Sequence, residues 1–140
     1  MREMTFEHDG EQYTLAATFA ASVEIADKIA DPLAIAREAA LEAAMMQARM
    51  PYRPKFEFTT RNVPQILHIG MKAAGSEMTL KEVQEIVFDK GLVHSRLIAA
   101  DYVALIVEPK PSKPEVEPDD DISDGEAAGN GPSSKAGAAA

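Results

Sequence analysis

The stretch Met4-Thr5-Phe6-Glu7-His8-Asp9-Gly10-Glu11-Gln12-Tyr13-Thr14-Leu15-Ala16-Ala17-Thr18 decides the fold class. Two alternating segments flank Asp9-Gly10, the dipeptide that best tolerates the two positive φ angles of a tight hairpin turn. Residues 4–18 are therefore expected to form a β-hairpin. Met4 and Phe6 share one face of the first strand, and Tyr13 and Leu15 share one face of the second. A two-stranded hairpin is marginal alone in water, so that face must pack on helices.

The rest of the body supplies them. Residues 20–30 have helical spacing, with Val23, Ala26 and Ile29 along one side. Asp31-Pro32 then opens a second helix, Asp as cap and Pro at the first helical position, running to about Arg49. Pro51 and Pro54 stop it, and Lys55-Phe56-Glu57-Phe58-Thr59 reads as a short strand or extended connector. Asn62 is the expected cap of a third helix, with Ile66, Leu67 and Met71 on its apolar side and Gly75 at its end.

Thr79-Leu80-Lys81-Glu82 is a capping box, and Met78 and Val83 are placed as a hydrophobic staple. Lys90-Gly91 closes that helix. A last helix over about 92–107 carries Ile98, Tyr102, Leu105 and Ile106 at helical spacing. The fold class is α+β, predominantly α: a small helical domain with an N-terminal β-hairpin.

Composition changes after Glu108. Residues 109–140 hold five of the nine prolines and four of the eight glycines, and Val116 and Ile122 are their only large apolar side chains. So little apolar surface cannot offset a backbone ordering cost of about 1–2 kcal/mol per residue, which predicts a disordered acidic tail. The tail has three lysines against seven acids, so −4 of the chain's −9 lies there and −5 in residues 1–108.

Several classes of chemistry find no footing. There is no cysteine, which excludes disulfides, cysteine nucleophiles and cysteine-ligated metal centres. No run approaches the ~20 apolar residues of a membrane span. The charged N-terminal stretch shows no export signal, so a cytoplasmic location is expected. His8, His68 and His94 do not fall in a helical zinc-ligand spacing, and His68, within Ile66-Leu67-His68-Ile69, reads as an interior residue.

The run Asp119-Asp120-Asp121-Ile122-Ser123-Asp124-Gly125 fails as a calcium loop in both registers. In the helix–Gly91–helix passage the second helix offers Arg96 as its one fixed cation against Asp101 and Glu108, which argues against reading a DNA groove. No cofactor, metal, nucleic acid or membrane is expected as a partner.

One cluster hints at function. Met45, Met46 and Met50 precede Pro51, and Phe56 and Phe58 follow it. Two readings stay open. The methionines fill gaps in an alanine-rich core, or the five form an adaptable partner-binding surface.

Two further stretches carry a resemblance. Asp9-Gly10-Glu11-Gln12-Tyr13-Thr14-Leu15-Ala16-Ala17-Thr18-Phe19 leads directly into a helix with Glu24 and Ile25. Ile66-Leu67-His68-Ile69-Gly70-Met71-Lys72-Ala73-Ala74-Gly75 is followed by Met78-Thr79-Leu80-Lys81-Glu82-Val83, then Gly91-Leu92 and a closing helix. In this order and spacing, most of residues 4–108 resembles the tail assembly chaperones of siphophages and their gene-transfer-agent relatives.

The resemblance implies a non-enzymatic protein of bacteriophage tail assembly. It would bind the long, apolar, helical tape measure protein and keep it soluble while tail tube subunits polymerise around it. It also implies contact with the major tail tube protein through a frameshifted longer form, and no catalytic residues. On this reading Met45, Met46, Met50, Phe56 and Phe58 are the partner-binding residues. Self-association into a homo-oligomer is left open. The alternatives are a structural tail subunit retained in the particle and, behind it, an acidic regulatory binding protein.

Overall fold

A computed structural model describes residues 2–108; the expected tail, residues 109–140, lies outside the described residues. The elements run β1 (Arg2–His8), β2 (Glu11–Ala17), α1 (Phe19–Lys28), α2 (Pro32–Gln47), α3 (Asn62–Ala73), α4 (Leu80–Lys90) and α5 (Leu92–Val107). The fold is α+β and mostly α, as the sequence leads one to expect.

β1 and β2 pair antiparallel, with His8 opposite Glu11 and the turn made by Asp9 and Gly10 alone. Both turn residues have positive φ, 52° and 80°, the requirement that makes Asp-Gly suitable here. Met4 faces Leu15 and Phe6 faces Tyr13, and the last two rings stack 5.3 Å apart. This apolar face packs on helices α3 and α5.

α3 is the central element. Val63, Pro64, Ile66, Leu67, Ile69, Gly70 and Met71 are all buried, leaving it little solvent-facing surface. It meets β2, α1, α4 and α5. From α5, Tyr102 is fully buried and its hydroxyl donates to the carbonyl of Ala16 on β2 at 2.6 Å. Burial raises its phenolic pKa well above the ordinary value, so it stays a donor.

Local chemistry sets the helix ends. Thr18 Oγ1 accepts from the Ala21 amide, and Asp31 Oδ1 accepts from Leu33, capping α1 and α2. The reciprocal box of Thr79 and Glu82 is present in full at the start of α4. The third cap departs from expectation. The Thr59 amide donates to Asn62 Oδ1, the Asn62 amide donates to Thr59 Oγ1, and Asn62 Nδ2 donates to the Glu57 carbonyl. Asn62 is already helical and Arg61 takes the capping position without a side-chain hydrogen bond, so Asn62 instead pairs reciprocally with Thr59 in the turn that precedes the helix.

α2 ends when Arg49 adopts a left-handed φ of 58°, letting the Met50 amide reach back to the Met45 carbonyl at 2.9 Å. The following segment forms no strand and runs as an extended connector. A buried carboxylate holds it. Glu38 of α2 accepts from the Tyr52 hydroxyl at 2.6 Å and from the Lys55 amide at 2.8 Å. Those two hydrogen bonds outweigh the effect of burial and lower the Glu38 pKa.

Candidate partner-binding surface

The sequence places Val23, Ala26 and Ile29 on one side of α1, yet Ala21 and Ile25 are the side chains α1 buries. Val23 and Ala26 face outward. Thr18 fixes the start of the helix and so puts Phe19 at its first position, 83% exposed. Asp31 likewise fixes α2 and leaves Leu33 70% exposed.

These side chains converge with the end of α5. Phe19, Val23 and Ala26 of α1, Pro32 and Leu33 of α2, and Ile106 and Val107 of α5 line a groove of about 350 Å³. Ser22 and Asp31 are its polar members, and among the described residues Asp31 carries the one charge in the lining. The Ser22 hydroxyl is occupied with the Phe19 carbonyl at 2.6 Å. Burying large apolar side chains yields roughly 1.5–3 kcal/mol each, so a stripe of them left in water is a candidate contact surface.

A second apolar region lies on the first half of α5, where Leu92, Val93 and Leu97 are exposed. Leu92 and Val93 border a smaller recess with Phe58, Val63 and Arg96. Phe88 of α4 is also exposed and stands in a wide trough between α4 and the hairpin turn.

The five residues singled out from sequence are divided by the structure. Met46 and Met50 are exposed at the far end of α2, and Met45 is half-buried. Phe56 and Phe58 are half-buried, pack against the core and meet edge-to-face at 5.1 Å. Glu38 holds the connector at Tyr52 and Lys55, just before the two rings.

The histidines also find distinct places. His68 is half-buried and hydrogen-bonded through Nε2 to the Met78 carbonyl at 3.0 Å, the interior role expected for it. His94 is exposed. His8 meets Asp89 at 2.8 Å, a pairing across 81 positions that no local spacing announces.

α1 did carry a signal for the groove. Ala21 and Ile25 make one apolar side, and Phe19, Val23 and Ala26, at helical spacing, make another. A helix apolar on two sides needs two apolar partners, and the domain supplies one. Compared with known protein families, curated proteins and solved structures, the chain has no match. Among the described residues, no helix is long and apolar enough to cross a membrane.

Proposed function

We propose that this protein is a non-enzymatic assembly chaperone. It binds an apolar helical partner, which the resemblance to tail assembly chaperones identifies as the tape measure protein of a phage or gene-transfer-agent tail. The observation that carries the proposal is the groove between α1, α2 and the end of α5, with Phe19, Val23 and Leu33 exposed along it. A groove of this kind accepts the apolar stripe of an amphipathic helix by non-directional burial, and side-chain spacing gives selectivity.

The chain's charge of −9 keeps such a surface soluble before the partner arrives. The exposed Met46 and Met50 add an adaptable apolar tip at the opposite end of α2. Contact with the major tail tube protein belongs to the same proposal and has no surface assigned to it.

Co-expression with a tape measure protein is the test. A soluble, stoichiometric complex supports the chaperone role. An insoluble partner, with this protein recovered instead in finished particles, would replace that role with a structural one.

A further inference from the structure

We propose that the corner where the hairpin turn meets the last turn of α4 binds a divalent transition-metal ion, ligated by His8 Nε2 and the carboxylates of Asp9 and Asp89. This site is independent of the apolar groove and of the chaperone reading.

Geometry is the first support. His8 Nε2 lies 2.8 Å from Asp89 Oδ2 and 3.5 Å from Asp9 Oδ2. All three ligand atoms fall within 4.8 Å of one another. Ligands about 2.0–2.1 Å from a tetrahedral zinc stand about 3.4 Å apart. One edge of that tetrahedron is therefore nearly in place, and a second needs to open by about half an ångström. The turn fixes Asp9 through its positive φ of 52°, and His8 is the last residue of β1, so two ligands sit on a stiff support.

Charge is the second support. Asp89 lies in the last turn of α4, at the negative end of the helix dipole, where a carboxylate is disfavoured without a cation. The neighbouring cation is directed elsewhere: Lys90 Nζ donates to the Glu7 carbonyl at 2.6 Å and sits over the Phe6 ring. Among the described residues, the trough beside the corner adds Glu11, Glu82 and Glu85 against Lys81 alone. Two carboxylates and a helix C-terminus thus converge on one imidazole.

The donor set selects the ion. One imidazole nitrogen with two carboxylates suits zinc and its neighbours, with water completing the shell. Calcium and magnesium favour six or more oxygen ligands. On binding, the Nε2 proton that bridges to Asp89 is given up, the ring keeps its proton on Nδ1, and the freed Nε2 lone pair goes to the metal in place of the hydrogen bond to Asp89. The metal would then link residues 81 positions apart in the chain, and the folded state would be stabilised by mass action.

The test is calorimetric titration of the full, tag-free, chelator-treated chain with zinc chloride, paired with ¹⁵N-detected histidine spectra. One equivalent should bind, and the His8 Nε2 resonance should shift while those of His68 and His94 stay in place. D89N keeps an exposed, helix-compatible residue and should weaken binding at least about tenfold, as should H8N. Calcium at the same concentration should leave the His8 resonance unmoved. An absence of zinc binding, or binding that persists at full strength in D89N and leaves His8 unshifted, would overturn the proposal.

Discussion

Gly70 of α3 lies directly beneath the ring of Tyr102: a β-carbon at position 70 would stand 2.8 Å from the Tyr102 Cζ and 3.0 Å from a Leu15 methyl. The absent side chain lets α5 close on α3 and β2 at once. Gly70→Ala is expected to destabilise by about 1–3 kcal/mol, despite alanine's better helix propensity, because buried aromatic and aliphatic neighbours must move. Gly91→Ala should cost a similar amount, roughly 1–3 kcal/mol, for a different reason. Its β-carbon meets nothing within 4 Å, but its φ of 109° is a glycine conformation. Urea denaturation separates the causes. Adding Tyr102→Leu should soften the penalty at 70 and leave that at 91 additive.

Tyr102→Phe keeps the ring and removes the 2.6 Å hydrogen bond to the Ala16 carbonyl. Loss of a buried donor should lower stability by about 1–2 kcal/mol, read as a fall in Tm with no change in helical signal.

Glu38 anchors the connector between α2 and α3 through Tyr52 and the Lys55 amide. Glu38→Gln should speed amide exchange at Lys55 more than in the core of α3. Hydrogen bonds from Lys28 and then Lys72 lower Glu24, as those from Tyr52 and Lys55 lower Glu38, from an ordinary value of 4.5. For both, the native state releases its proton more readily than the unfolded chain does. Their contribution is therefore fully present above pH 4.5 and lost as pH falls through the lowered native values. Glu38→Gln should flatten the fall in the urea midpoint across that acid window.

Arg49 is a non-glycine residue at φ 58°, closing α2. Arg49→Gly should raise stability by about 0.5–1 kcal/mol, since relief of left-handed strain exceeds the added freedom of the unfolded chain. Thermal melts at fixed pH would show it.

The features that came through from sequence are those with local causes. Asp9-Gly10 dictated the hairpin turn, Asp31-Pro32 the start of α2, and Thr79 with Glu82 the start of α4, each within a few residues. What local reasoning misplaced depends on distant packing. Asn62 does not cap α3, because it is already helical and turns its side chain back to residues 57 and 59. The outward stripe of α1 gave no sign of which apolar side the core would take, since α3 buries only Ala21 and Ile25. Phe56 and Phe58 pack against the core while Met46 and Met50 stay exposed, and the connector that leads to the two rings is held by Glu38, 14 residues before Tyr52. The His8–Asp89 pairing joins residues 81 apart.

Replacing exposed groove residues should leave the fold alone. Phe19→Ser and Leu33→Ser should shift stability by less than about 0.5 kcal/mol, because neither side chain is buried. The same pair should abolish recovery of soluble tape measure protein on co-expression. Equal recovery by variant and parent would remove the groove from the binding surface.

The most direct measurement places a photo-crosslinking residue at Val23 or Leu33, with controls at Met46, Met50 and the exposed Glu3, in cells making the tape measure protein. Adducts from 23 and 33, and none from Glu3, are the expected result. A complex that forms while 23 and 33 stay silent and Met46 or Met50 crosslinks would contradict the groove and move the binding surface to the end of α2.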